Sequence, residues 1–419
     1  MKKRILTLLA LPVGIALAMI LTSCGTRTSK NSRTKVTPKY LKGYFRRKPW
    51  KEGGYNQARA MALARLSGRP IVIPMSQYSV TASKDGMSYS GTIVGTSPFA
   101  KPLAGSTTNL IVIPLKISIG SATFDAGAPN SCDGNVSALT RFQQSPLVNP
   151  VPRLTINGVN VGNVQFINGF RRATFWNTIH GSAAYQNVLN FSYGDSYELT
   201  AATIGTHGIV EGSGCAAGGN PGQLALLSTD WLDSYLTGTV IPALTASGKI
   251  SPLAAVFFLF KDTVQSVTDP PAAQSCCILG YHSATGTTPQ TYGTMDWDRS
   301  GFFVGGVSDA SIASHEIGEW MDDPLALNAA PPWGNIGQVT GCQADWEVGD
   351  PLSGTLMSGI MMNGKSYQMQ ELAFYSWFFN KAGDPSVGAG GKFSSNGTFR
   401  VPAVRCTGIN ATRRRPVPR

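Results

Sequence analysis

Histidine is scarce in this chain, four in 419 residues, which limits where imidazole chemistry can sit. Two of the four, His180 and His207, have no second ligand at metal spacing and read as surface or packing residues. No Gly-x-Ser-x-Gly elbow is present, so serine-hydrolase chemistry has no support. The Gly-rich stretches of the first half lack a following Lys-Ser/Thr, and a phosphate-binding loop is not indicated. Beyond the first residues no apolar run is long enough to span a bilayer; Leu253 to Phe260 has the length of a buried strand. Acids are outnumbered, 23 against 35 Lys and Arg, a balance of +12 that resembles that of a nucleic-acid binder. Its distribution excludes that partner. Residues 1–65 hold 15 basic residues against Glu52 alone, residues 400–419 hold six Arg and no acid, and 66–399 hold 14 basic and 22 acidic. The positive charge therefore lives at the two ends.

The chain opens with Lys2-Lys3-Arg4, an apolar run from Ile5 to Leu21, and then Thr22-Ser23-Cys24-Gly25. That is the pattern of a secretory signal over 1–24. Cys24 directly after Leu-Thr-Ser resembles a bacterial lipobox, which implies export, a lipid anchor at Cys24 and a place in the cell envelope. An ordinary signal peptide with an incidental cysteine, leading to secretion, is the alternative. Residues 25–66 read as a basic linker with a short helix at Tyr55 to Leu66, suited to anionic lipid headgroups or simply to solubility. Without Cys24, six cysteines remain, enough for up to three disulfides. Adjacent Cys276 and Cys277 are expected to bond to two different partners.

From Ile71 the chain turns to short β-branched runs divided by Gly, Pro, Ser and Asn. Leu110–Ile119, Leu154–Val161 around an Asn157-Gly158 turn, and Ser196–Leu199 read as strands, Leu224–Tyr235 as a helix. Arg171-Arg172 reads as the opening of a short helix. In the second half Ala254–Phe260, Ile278–His282, Gln290–Trp297 and Gly301–Val304 are strand candidates. Ala330–Gly334 reads as a loop and Tyr367–Phe379 as an aromatic helix. The expected fold is α+β: a β-rich lobe over 67–250, a metal-binding lobe over 251–406, and a basic tail over 407–419.

The second lobe is built around Ser311-Ile312-Ala313-Ser314-His315-Glu316-Ile317-Gly318-Glu319-Trp320-Met321-Asp322-Asp323-Pro324. Ser308 or Asp309 can cap a helix here and Pro324 ends it. At helical spacing Ala310, Ala313, Ile317, Trp320 and Met321 share one arc, and His315, Glu316 and Glu319 the opposite one. His315 and Glu319, four apart, can reach one metal ion, with Glu316 beside them to act on water. This is the HExxH helix with Glu in place of the second His; a solvated helix face with one incidental His is the competing reading. Glu347, in Trp346-Glu347-Val348-Gly349-Asp350-Pro351, is the preferred third ligand. Asp350 competes for that place or orients His315, and Glu371 is a weaker third option. Glu316 would accept the proton of attacking water, and Tyr367, Tyr281 or His282 would help stabilise an oxyanion.

These pieces resemble a set of secreted, mostly uncharacterised bacterial proteins with a Ser-His-Glu-x-x-Glu-x-x-x-Asp-Pro helix followed by a Glu-(Val/Ile)-Gly-Asp turn. Ser314 to Glu319, Asp323-Pro324 and Glu347 to Asp350 carry the match, which covers about residues 250–380. A fainter similarity extends to the plant phosphate-induced, EXORDIUM-like proteins. The resemblance implies a zincin-like metal site; the chain departs from peptidase families proper at Glu319. Zn²⁺ is the expected cofactor from the helix geometry, with Mn²⁺ or Ca²⁺ made possible by the harder ligand set. The expected activity is metal-dependent hydrolysis of peptide or cell-wall peptide. A non-catalytic surface protein with a structural metal is the alternative, and a carboxylate-pair glycosidase using Asp296 and Asp298, or Asp322 and Asp323, a weaker one.

Overall fold

The computed structural model describes residues 73–217, 220–303, 305–357, 359–379, 386, 391–402 and 406. The expected signal segment, the anchor at Cys24, the 25–66 linker and the 407–419 tail lie outside the described residues. Among the described residues no helix is long and apolar enough to cross a membrane.

The architecture is mixed α+β and strand-rich, with several sheets. Its largest sheet is seven-stranded and is centred on the long strand Ser106–Ile119. Ala254–Lys261 lies parallel to that strand on one side, and Asn187–Tyr193 and Tyr197–Leu199 lie parallel to it as well. Gln290–Trp297 continues the sheet in parallel, and Gly280–Thr285 closes it antiparallel. The two segments expected on either side of residue 250 therefore share one sheet. Hydrophobic periodicity reports which residues are inside; it carries no information about which strand will lie alongside.

Both faces of this sheet are covered, which is why 254–260 reads as an unbroken apolar run. Ala255, Phe257 and Leu259 enter one core, and Val256, Phe258 and Phe260 enter the other. The helix Ser311–Asp322 packs on Gly280–Thr285 and Gln290–Trp297, with Trp320 edge-on to Phe257 at 5.7 Å between ring centroids. It is buried on every side.

Several local readings change in three dimensions. Leu224–Tyr235 divides into a strand, Leu224–Ser228, and a helix, Thr229–Tyr235, whose N-terminus the Ser228 hydroxyl caps. The helix containing Arg171 and Arg172 is Phe166–Thr174, so they close it rather than open it. Ala329–Ile336 is a strand paired with Val339–Asp345, not a loop. Residues 301–303 bend instead of forming a strand. The aromatic stretch after Lys365–Tyr367 runs mostly extended and forms only one helical turn, Tyr375–Phe378. Its aromatics lock to partners distant in sequence, such as Trp377 to Trp333 at 5.3 Å. That packing outweighs helix propensity.

Three disulfides join Cys132 to Cys215, Cys342 to Cys406, and Cys276 to Cys277. The last overturns the expectation that the adjacent pair would bond apart: the other four thiols find each other, and both Cys276 and Cys277 are buried. Replacing Phe257 by alanine empties a site between sheet and helix. It is expected to cost about 3–5 kcal/mol in denaturant unfolding; a cost below about 1 kcal/mol would show that the helix is held by something other than this packing.

Candidate metal centre

The helix Ser311–Asp322 begins after Ala310 without a side-chain cap. Neither expected cap serves. Asp309 Oδ1 accepts from the amides of Ala310 and Gln368, and the Ser308 amide donates to Ser311 Oγ. At the other end Asp323 Oδ1 accepts from the amides of Leu327 and Asn328, turning the chain at Pro324. The His and Glu positions face a second wall made by Gly280–Thr285 and by the turn at 347–350. The solvated-face reading is thereby excluded: His315 is 0%, Glu316 1% and Glu319 2% exposed.

Two clusters of ligand atoms result. In one, His315 Nε2 lies 3.1 Å from Glu319 Oε1 and 3.7 Å from Asp350 Oδ1. In the other, His282 Nδ1 lies 3.6 Å from Glu316 Oε2 and 3.8 Å from Glu319 Oε2. Within each cluster the ligand atoms all fall within 4.8 Å of one another, and such buried His, Glu and Asp groups can hold a metal ion.

The ring orientations follow from what lies behind them. His315 Nδ1 is 3.1 Å from Gln370 Oε1, and the amide of Gln370 is oriented by donation from its Nε2 to Gly349 O at 2.8 Å. An acceptor oxygen there calls for the proton on Nδ1, and Nε2 is the atom that faces Glu319 and Asp350. His282 Nε2 is 3.0 Å from the carbonyl of Asp323, so its Nδ1 presents a lone pair to Glu316 and Glu319.

Glu319 Oε1 also accepts from the amides of Gly349 (3.0 Å) and Asp350 (3.2 Å). This ties the helix to the Glu-Val-Gly-Asp turn and accounts for the glycine. A Cβ at position 349 would overlap the His315 ring. Burial opposes the charge on Glu319, but His315, His282 and the Gly349 amide outweigh it and hold the carboxyl below its ordinary value. Burial, and then the charges of Glu319 and Asp350, push Glu316 well above the carboxylate range.

The third carboxylate at His315 is thus Asp350, not Glu347. Glu347 is buried on the other side, with Oε2 3.9 Å from His282 Nε2. Asp350 is on the Nε2 side of His315, so the group that sets its tautomer is Gln370, which nothing in the sequence singled out. Glu371 points elsewhere, accepting from Ser394 Oγ, Thr398 N and Thr398 Oγ1. Tyr367 does not join either cluster; its neighbours are Trp297 and the charges of Arg141, Asp309 and Asp133. Tyr281 sits in the core on the opposite face of the sheet, against Tyr292. Alternation along Gly280–Thr285 sends His282 to the site when Tyr281 faces away, a cue present in the sequence but without a partner to interpret it.

His180 and His207 lie towards the surface, stacked on Trp176 and Trp231. The proposed glycosidase pairs have structural duties: Asp322 pairs with Arg171, Asp323 holds the turn, Asp296 accepts from the Thr263 amide, and Asp298 holds Ser300. Gly280–Thr285 is the edge of the sheet yet buried, so an extended peptide cannot pair along it as the covering segments stand. A cavity of about 430 Å³ lies at the end of Ala254–Lys261, lined by Asp125, Asp262, Arg299 and the Cys132–Cys215 bridge, and contains none of the clustered ligands. No family of known proteins, curated protein or solved structure matches the chain.

Gly349→Ala should displace the His315 ring and weaken metal binding by about 10–100-fold while the fold remains; unchanged affinity in a metal titration would refute the packing argument. Burial first, and the charge of Asp262 next, raise Asp298 to about 7 against the opposing Ser300 contacts. A carboxyl whose folded pKa exceeds its unfolded one binds its proton more tightly in the native state. Its contribution therefore makes stability fall as pH rises from about 4 towards 7 and stay level above. Asp298→Asn should flatten melting temperature against pH in that window; an unchanged slope counts against the assignment.

Proposed function

We propose that this protein is an exported metal-dependent hydrolase acting on peptide or cell-wall peptide, with a divalent cation, Zn²⁺ first, held by His315, Glu319 and Asp350. The observation that carries the reading is the convergence of His315 Nε2, Glu319 Oε1 and Asp350 Oδ1 on one point, with the Glu316 carboxylate alongside. A cation so held polarises a carbonyl and acidifies water. Glu316 would accept the proton of the attacking water and return it to the leaving amine. Export and a lipid anchor at Cys24 rest on the N-terminal pattern, and the zincin-like character on the resemblance of the two motifs.

A second reading, a structural cation in a non-catalytic surface protein, is favoured by the burial of the ligands, none of them more than 6% exposed, among the described residues. One set of measurements separates the two. The ion at His315, Glu319 and Asp350 should be lost in His315→Ala, read by elemental analysis as a fall in metal content. Peptide hydrolysis should fall about 10²–10⁴-fold in Glu316→Gln if that carboxylate is the base. Equal hydrolysis by wild type and Glu316→Gln rejects that role. Chelation that melts the fold, with no substrate ever cleaved, selects the structural reading.

A further inference from the structure

We propose that the buried site holds two divalent cations bridged by Glu319: one at His315, Glu319 and Asp350, and a second at His282, Glu316 and Glu319. The first position is that of the hydrolase reading, on which this inference rests. The second makes His282 and Glu316 ligands, which replaces the general-base role of Glu316 and keeps from that reading only the cation at His315.

The distances fit two ions and not one. Around a tetrahedral ion with ligands at about 2.1 Å, neighbouring ligand atoms are about 3.4 Å apart. The separations at His315 are 3.1 and 3.7 Å, and those at His282 are 3.6 and 3.8 Å. The two imidazoles fall in different clusters, so one coordination sphere does not embrace both. Glu319 belongs to each: Oε1 faces His315 and Oε2 faces His282. Its rotation is set by the backbone, through the amides of Gly349 and Asp350 on Oε1. The bridging orientation is thus built into the turn.

Glu316 supplies an independent observation. It is 1% exposed, and neither carboxylate oxygen has a hydrogen-bond partner in the described structure, although Oε2 points at His282 Nδ1. A carboxyl buried without hydrogen bonds is relieved either by a proton or by a cation, and only the cation uses both oxygens and the imidazole aimed at them. Space has been cleared for it: a Cβ at Gly280 would come within 2.7 Å of Glu316 Cγ and Oε1. His282 is held from behind by the Asp323 carbonyl, which leaves Nδ1 as the atom facing the acids.

The donor set points the same way. Glu316, Glu319, Glu347 and Asp350 surround two imidazoles, each held by an oxygen on its far side, the carbonyl of Asp323 or Oε1 of Gln370. Two imidazoles with carboxylate oxygens suit Zn²⁺ or Mn²⁺, and carboxylate-bridged pairs of such ions stand about 3.5–4 Å apart.

The test uses the full mature chain, stripped of metal, reloaded with Mn²⁺ and freed of unbound ion, read by elemental analysis and electron paramagnetic resonance. About two equivalents and a spin-coupled signal are expected. His282→Ala and Glu316→Gln should each lower the content to one equivalent with an uncoupled signal, and Glu319→Gln should weaken both positions. A wild-type content of one equivalent, lost in His315→Ala, overturns the second position and leaves the hydrolase site standing. A wild-type content of one equivalent that is retained in His315→Ala and lost in His282→Ala overturns the pair and the hydrolase site together, as does a chain that takes up no Mn²⁺ or Zn²⁺. If His282→Ala does not fold, the stoichiometry and coupling of the wild type decide the matter alone.

Discussion

Carboxylates taken out of water require positive charge, and that requirement organises everything around the helix Ser311–Asp322. At its C-terminal end Asp322 is answered by Arg171, both fully buried, the cation arriving from a helix far away in sequence. One turn earlier, the acids of the two clusters face two imidazoles, and Glu319 also accepts from the amides of Gly349 and Asp350. Desolvating an ion costs more than a surface pair returns, so a buried acid survives only with a committed partner. A helix that carries Glu316, Glu319 and Asp322 into the interior therefore dictates what must surround it.

The surroundings are correspondingly specific. Asn328 donates to the carbonyls of Thr92 and Asp322, both at 2.6 Å, and accepts from the Thr92 amide, pinning the helix end to the Met75–Val94 hairpin. Gln370 links His315 to Gly349, and its amide nitrogen reaches Ser314 Oγ. Glycines at 280 and 349 remove the side chains that would collide with Glu316 and His315. Each is a small residue in a position where packing leaves no alternative. Burial also raises the tension between the two functional readings: the feature that strengthens every electrostatic contact inside is the one that separates the ligands from solvent.

Much of this was legible before any coordinates. The helix, its His315–Glu319 spacing and the importance of the Glu-Val-Gly-Asp turn follow from helical periodicity and turn residues, because those signals are local. So does the strand Ala254–Lys261, whose apolar run to Phe260 needs no partner to be recognised. The aromatic segment after Tyr367 misled because aromatic residues are enriched by burial wherever the backbone goes, and in this chain the burial is achieved by an extended path. Choosing Glu347 over Asp350 failed for a similar reason. Both sit in one turn, and only its rotation decides which carboxylate faces His315.

The sequence alone determined the chemistry available: a single imidazole with two carboxylates on one turn of helix, a second acidic turn downstream, and a charge pattern confined to the ends. It could not determine the assembly. His282, Gln370 and Arg171 come from elements separated from the helix by strand crossings, and strand order is a long-range property set by how two cores close around a sheet. Which atoms meet is decided there, because a metal ligand is defined by distance in space and a local pattern reports only distance along the chain.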